Sequence, residues 1–495
     1  MFALLRLLLI HSTKSHISAI NFIPYFYNQI FPNDSIMFTK NPLLRLLKFD
    51  IILNLVLFIT CLILNLGTER HESDWSGLGD PGSYLYQAKF SLFDIHMYFP
   101  YKSAPGFSPR AFTTSLFYHF TGGNWNTIVN MQFCIHTISL FFLAYAISLF
   151  ISKNWVKCLS IISIYLLGSW WNLLGWSTLL LSESLSISFM FLWIATLLIL
   201  LKKRSTISLI VHLLTMLLFS FTHDNWCYVL PVFYGLLLLF SKISREKFTK
   251  IALVCFCSSM LFFGIQQVSI RIGERTELPL TNSIIIRVFP NDEHYKWFVD
   301  NGMPEMDTLR KKFSGFDSKN VEKISLLYQF YVSDSMHHVL YKWIKESGQS
   351  TYIKFLLTHS SYFFLQEETH EQLNRIFVND LNYINPPRGY TQYLHPLFPI
   401  FSIWGLLIIC VGVLILFIRE KELIFFIPLC LCFMFFVNII LMYNADAMED
   451  ERHFFLTLAQ IQLLSFMGLA MLLDNINFVE IARKLRFATL LKKNV

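Results

Sequence analysis

Residues 177–204 read STLLLSESLSISFMFLWIATLLILLKKR, and this stretch decides the class of fold. From Ser177 to Leu201 it is apolar apart from hydroxyls and one carboxylate, Glu183, and it closes on Lys202, Lys203 and Arg204. A helix needs about 20 apolar residues to cross a hydrocarbon layer, with a usable range of roughly 17–25. A lone strand in lipid would leave its backbone groups unpaired, so the run predicts a membrane-spanning helix ending on a basic flank.

Working outward, runs of the same kind occupy 51–66, 127–151, 156–174, 205–221, 226–240, 251–270, 397–418, 423–443 and 453–473. Hydrophobic residues make up 54% of the 495 positions and charged residues 15%, a balance that excludes an ordinary soluble protein. The expected fold class is an all-α, multi-pass (polytopic) membrane protein of about ten transmembrane helices. Basic residues collect in alternate loops: Lys40, Arg45 and Lys48; Lys153 and Lys157; Lys202 to Arg204; Lys242, Arg245, Lys247 and Lys250; Arg419 and Lys421. The intervening short loops, 171–176, 222–225 and 444–452, contain Arg452 alone. The positive-inside rule then makes both termini cytoplasmic and the chain a cell-membrane protein. The net charge of +7 belongs to these flanks, not to a soluble basic domain, so no nucleic-acid partner is expected.

The expected organisation is an N-terminal segment 1–50, a first transmembrane module 51–270 with an outer loop 67–126, an extracytoplasmic segment 271–396, helices over 397–473 and a basic tail 474–495. Met1 to Ile10 is apolar but too short to span, and two readings fit it: an interfacial helix, or translation that truly starts at Met37. In the extracytoplasmic segment, 291–301 and 321–366 are expected to be helical, and the aromatic stretch 352–365 is suited to lying flat on the interface. The nine cysteines all fall in or beside the spans, which argues against a disulfide framework. Cys255-x-Cys257 and Cys430-x-Cys432 lack the spacing of a zinc site.

Several polar residues stand out against this background. Asp80 opens Gly79-Asp80-Pro81-Gly82-Ser83-Tyr84, ahead of an amphipathic helix expected to run to about Asp94. It is either a helix cap or a general base held at the membrane surface by a tight turn. Glu183, expected two turns inside its span, either bonds a neighbouring helix or faces a cavity that holds a substrate hydroxyl. His223 and Asp224 fill a very short outer loop and are solvated or substrate-binding. Asp446, Glu449, Asp450 and Glu451 read as a solvated face. Arg452 beside them either pairs with an acid or presents a fork to a phosphate. Arg271 and Arg275 are further phosphate candidates, followed by Arg110 and Lys102. No Walker loop, GxGxxG, zinc motif, nucleophile elbow or Asp-x-Asp is present, so no cofactor is indicated, although a divalent metal is not excluded.

Asp80-x-Gly82-x-Tyr84 with Ala88 following, together with Ser182-Glu183-Ser184-Leu185 inside a span, resembles the GT-C superfamily of polyprenyl-phosphate-sugar-dependent glycosyltransferases, which includes protein mannosyltransferases and aminoarabinose transferases. The many-span layout and the late outer segment fit the same pattern. The resemblance implies an inverting transferase, with Asp80 as base, Tyr84, Glu183, His223 and Asp224 at the substrate, and Arg452, Arg271 and Arg275 at the donor phosphate. The implied partners are a polyprenyl-phosphate-linked sugar, membrane lipids and an envelope glycan or lipid acceptor. The first loop departs from the protein mannosyltransferases in lacking their adjacent Asp-Glu pair. Glu451-Arg452-His453 resembles a segment before the last span of poorly characterised bacterial members. The alternative is a transporter, flippase or polymerase of lipid-linked glycans, which calls for polar groups through the full depth of the membrane.

Overall fold

Hydrophobic length is what fixes the long helices, and the computed structural model carries a helix at each of the ten apolar runs. It describes residues 49–67, 80–101, 109–244, 247–313, 335–359, 403–445 and 450–476. The chain divides into two compact units, residues 1–53 and 54–495. Of the first unit only the start of helix α1 is among the described residues. The expectations for residues 1–48, for 67–79 beyond Gly67 and for the tail after Ile476 lie outside them.

In chain order, α1 is Phe49–Leu66, and three short helices follow: α2 (Asp80–Gln87), α3 (Ile95–Tyr98) and α4 (Phe112–Phe120). Then come α5 (Trp125–Ser148), α6 (Asn154–Gly168), the single turn α7 (Trp171–Leu174), α8 (Ser182–Lys203), α9 (Thr206–Ser220), α10 (Trp226–Ser241) and α11 (Thr249–Ile272). A smaller helical set holds α12 (Glu277–Ser283), α13 (Asp292–Asp300), α14 (Asp307–Lys312), α15 (Ser335–Trp343) and α16 (Gln349–Thr358). The last three are α17 (Ile403–Glu420), α18 (Leu423–Ala445) and α19 (Asp450–Asn475). Among the described residues there is no strand. Among the described residues six helices are long and apolar enough to cross a membrane: α1, α5, α8, α11, α18 and α19. Helices α6, α9 and α10 are shorter apolar ones.

Burial ranks these helices. The apolar stretch of α8 is 89% buried, whereas that of α1 is 17% buried, so α8 is the centre of the bundle and α1 faces outward. Helix α8 packs on α5 and α9, α10 on α11 and α18, and α19 on α18, α17 and α6. Aromatics fill the middle, with Trp193 stacked on Phe219 (5.3 Å) and edge-on to Phe233 (4.8 Å). The polar groups at that depth satisfy one another. Trp193 Nε1 donates to Tyr234 Oη (2.5 Å), His212 bonds the same hydroxyl (2.6 Å), and its other ring nitrogen bonds Thr196 Oγ1 (3.0 Å). At the end of the bundle that carries the lysines, Asp474 accepts from the backbone N–H groups of Ser152 (2.9 Å) and Lys153 (2.8 Å), tying α19 to the start of α6.

Three local boundaries differ from the sequence reading. The expected helix from Asp80 to Asp94 stops at Gln87, where turns lead to α3. Helix α6 stops at Gly168 rather than 174. Helix α8 starts at Ser182, so Glu183 sits in its first turn rather than two turns inside. The cause is on another helix: the Gln132 amide of α5 donates to the carbonyls of Ser177 (3.0 Å) and Leu179 (2.9 Å), holding that segment out of the helix. A carboxylate in a first turn faces the positive end of the helix dipole, which suits it there.

Candidate functional site

At the end of the bundle opposite the lysines, α2 builds the first charged pair. Asp80 is its first residue and Pro81 the next, where a missing N–H costs the helix nothing. Arg110 forms an ion pair with Asp80 and stands over the Tyr84 ring, 5.8 Å from its centroid. The far end of α2 fixes the arginine's backbone. Gln87, fully buried, donates from Nε2 to Met97 O (2.9 Å) and accepts at Oε1 from Arg110 N (3.2 Å). Asp80 and Arg110 therefore meet across one helix, 21% and 27% exposed.

Behind this pair the groups become buried. Tyr84 is 3% exposed and packs edge-on against Tyr118 (6.2 Å), whose hydroxyl donates to Gln132 Oε1 (3.3 Å). Burial pushes the Tyr118 hydroxyl well above its ordinary pKa, and the neighbouring Tyr84 and Glu183 push it further the same way, so it remains a proton donor. Glu183 is fully buried, with the Ser182 hydroxyl at 3.4 Å. Thr113, Thr114 and Ser115, also fully buried, have hydroxyls without hydrogen-bond partners among the described residues. They lie in the first turn of α4, where no preceding turn supplies the carbonyls that such hydroxyls ordinarily use. A narrow surface crevice, with no room for a water molecule, lies beside Tyr118 and Gln132, walled by Ile128 and Leu185 among others; neither Asp80 nor Glu183 lines it.

The second charged pair is built by the turn before α10 and the end of α11. Thr113 N donates to Phe221 O (3.0 Å) and Phe112 packs on Phe221 (4.7 Å), which sets α4 against the turn carrying His223 and Asp224. Helix α11 ends in a Schellman motif: Glu274 N bonds Arg271 O (3.3 Å) and Arg275 N bonds Ile270 O (3.1 Å), with Glu274 left-handed at φ 50°. That turn folds Arg275 back to Asp224, Nη2 to Oδ1 at 3.4 Å. The same nitrogen donates to Ser269 Oγ (3.2 Å), and Gln266 also donates to the Asp224 carboxylate. The Arg275 side chain is 4% exposed, and its Nε and Nη1 have no hydrogen-bond partner among the described residues.

Gly273 joins the two pairs. A Cβ there would lie 3.0 Å from Pro109 Cβ, 3.1 Å from Pro100 O and 3.2 Å from Arg275 Cγ. Pro109 directly precedes Arg110, so the glycine lies against the loop that leads into the first arginine and against the side chain of the second.

Of the candidates read from sequence, Asp80, Tyr84 and Glu183 fall along the first row, and Asp224 and Arg275 form the second. His223 is half-buried beside Asp224. Arg271 stands apart, exposed on the face of α11 that also exposes Val268 and Ile272. Arg452 lies in the first turns of α19, eight residues before Gln460, hence about 12 Å further along the helix. Gln460 itself ends a buried amide chain from the 223–225 turn: Asn225 to Asn438 (2.6 Å), Asn438 to Gln460 (3.2 Å). The Arg452 side chain, Asp446, Glu449 and Lys102 lie outside the described residues. The reading missed Gln87, Gln132, Gln266 and Gly273; the glutamines of α5 and α11 could have been flagged as amides inside apolar runs. The chain matches no model of a known protein family, and no curated protein matches it.

Proposed function

We propose that this chain is a ten-span membrane glycosyltransferase of the GT-C type, with both termini in the cytoplasm and its site on the outer face of the cell membrane. It moves a sugar from a polyprenyl-phosphate donor to an envelope glycan or lipid acceptor, with inversion at the anomeric carbon. The acceptor hydroxyl gives its proton to the Asp80 carboxylate as its oxygen bonds the anomeric carbon. The bond from that carbon to the phosphate oxygen breaks, and the polyprenyl phosphate leaves with the electron pair. The free Nε and Nη1 donors of Arg275 stabilise the leaving phosphate, a charge-assisted pairing suited to a guanidinium fork. Arg110 orients Asp80, and Tyr84, Glu183, His223 and Asp224 shape the sugar and acceptor positions. Arg452, entering from α19, is a second donor for the phosphate.

The observation that carries this reading is the pair of acid–arginine contacts, whose loop and turn pack together at Gly273, one offering a carboxylate and the other unspent cationic donors. The mutual hydrogen bonding of Trp193, Tyr234, His212 and Thr196 favours transfer over transport, because a pathway would need those mid-depth groups open. The test compares envelope glycans of cells lacking the protein, rescued by wild type or by Asp80→Asn at matched expression. Loss of one sugar, restored by wild type alone, supports the reading and names the sugar. Full rescue by Asp80→Asn makes Asp80 a helix cap and turns the assignment toward a transporter.

A further inference from the structure

The turn that follows α2 is closed by its own hydrogen bonds. Asp94 N donates to Ser91 O (2.9 Å), Phe93 N to Ser91 Oγ (3.3 Å) and Tyr98 Oη to Leu92 O (2.9 Å), while Asp94 caps α3 through His96 N (2.9 Å) and pairs with the His96 ring. This closed turn holds Phe93 entirely out of the protein, 100% exposed, and Ile95 59% exposed. An ordered turn that keeps a phenylalanine wholly in water forgoes the burial of its ring, which calls for an apolar partner.

The surroundings name that partner. Ser269 Oγ, in the last turn of α11, donates to Tyr98 O (3.3 Å), and Tyr98 in turn holds Leu92. Tyr98, which holds the tip through Leu92, is thereby tied to the end of α11, where Val268 (51%) and Ile272 (46%) are exposed at the end of a stripe that also exposes Leu261 (60%). Each apolar element has an exposed cation close in sequence: Lys89 four residues before Phe93, and Arg271 next to Ile272. An aromatic tip tied to the end of an exposed apolar stripe, with a cation beside each, has the composition of a membrane-interface anchor.

We propose that residues 92–95 form a membrane-insertion tip: Phe93 and Ile95 enter the boundary between acyl chains and headgroups, and Lys89 and Arg271 meet the lipid phosphates. Arg271 is thus a headgroup ligand and not part of the donor site. The anchor fixes the height of α2, and with it Asp80, above the bilayer. The inference rests on α11 crossing the membrane and is independent of the transfer chemistry.

The test places the photoreactive residue benzoylphenylalanine at position 93 of the full chain in nanodiscs of phosphatidylethanolamine and phosphatidylglycerol. Leu261 serves as the lipid-facing control and Asp300, exposed at the end of α13, as the solvent-facing one. Irradiation is expected to give adducts of lipid mass at 93 and 261 and none at 300. Adducts at 261 alone, or a crosslink from 93 to a second copy, overturn the proposal. Absence of adducts at both positions overturns the membrane reading and this inference with it. Replacing the anionic lipid by a zwitterionic one should lower the yield at 93 two- to threefold and leave 261 unchanged; an equal yield would remove Lys89 and Arg271 from the anchor.

Discussion

The two acid–arginine pairs are built in opposite ways. In the first, Asp80 and Arg110 are both partly open, at 21% and 27% exposed. In the second the acid is open and the arginine is not, at 35% for Asp224 against 4% for Arg275. The first presents an oriented carboxylate at the surface. The second spends one nitrogen of its arginine, on Asp224 and Ser269, and keeps two buried donors unspent. A buried guanidinium with unused donors is costly unless an anion meets it, so under the proposed function the asymmetry suits the first pair to proton transfer and the second to the phosphate.

The sharpest way to break this assignment is to neutralise each acid in turn. Asp80→Asn should lower sugar transfer by about 10²–10⁴-fold, the usual worth of a general base. Asp224→Asn removes one acceptor from Arg275 and should cost roughly tenfold, the equivalent of about 1.4 kcal/mol. Transfer assays on membranes with matched protein levels decide it, and a reversed order of effects would exchange the two roles. The arginines give the next contrast. Arg275→Lys keeps the charge but loses the planar fork in a buried position, so the donor KM should rise about 10- to 100-fold, in line with hydrogen bonds to charged groups worth about 1.5–3 kcal/mol. Arg110→Lys, at a position open to water, should change kcat by a few-fold at most and leave the donor KM in place. Equal KM effects at both positions would remove the asymmetry.

Much of the frame of this comparison was legible in the sequence, because hydrophobic length alone dictates helices in lipid. Each apolar run carries a helix, and of the residues that broke the pattern Asp224 and Arg275 pair with each other while Asp80 pairs with Arg110. What could not be read was partnership between distant positions. Arg110 ranked low because nothing local connects it to Asp80, and its placement depends on Gln87 holding its backbone. The depth of Glu183 was misjudged for the same reason, since Gln132 from another helix determines where α8 begins. Gly273 carried no signal at all, its importance residing in two prolines that approach it from the first loop.

Gly273 also offers a way to disturb both pairs together. In Gly273→Ala the new methyl would meet a backbone oxygen and a proline carbon at 3.1 and 3.0 Å, so the loop must give way by a few tenths of an ångström. The expected cost is about 1 kcal/mol, at the low end for an overpacked site. Transfer should fall several-fold through kcat and donor KM alike. A change confined to one parameter would mean that the pairs are not mechanically joined, and thermal unfolding in detergent separates this from simple loss of fold.

The pairs differ as well in what they lean on. Asp80–Arg110 rests on α2 and α4, whereas the turn carrying Arg275 is clamped from the smaller helical set: Tyr341 Oη donates to Glu274 (2.9 Å), and Lys345 pairs with the same carboxylate. That set has its own core, in which Phe355 takes the His294 ring edge-on (5.0 Å) and stacks on His359 (4.6 Å). Burial lowers the pKa of His294 below its ordinary 6.5, Glu293 opposes this, and His359 lowers it further. A histidine whose pKa is depressed on folding binds fewer protons folded than unfolded, so its contribution to stability is complete above about pH 6.5 and is lost as pH falls toward the folded value. Acid should therefore loosen the support of the second pair before that of the first. Amide exchange, corrected for its intrinsic pH dependence, should be faster in 292–313 and 349–359 at pH 5.5 than at pH 7.5, with α2 and α8 unchanged. His294→Gln should flatten the difference; if the wild type shows none, the smaller helical set does not respond to pH through this residue. The effect is the smallest of those argued here, because the ring is only partly buried and water already meets much of its charge.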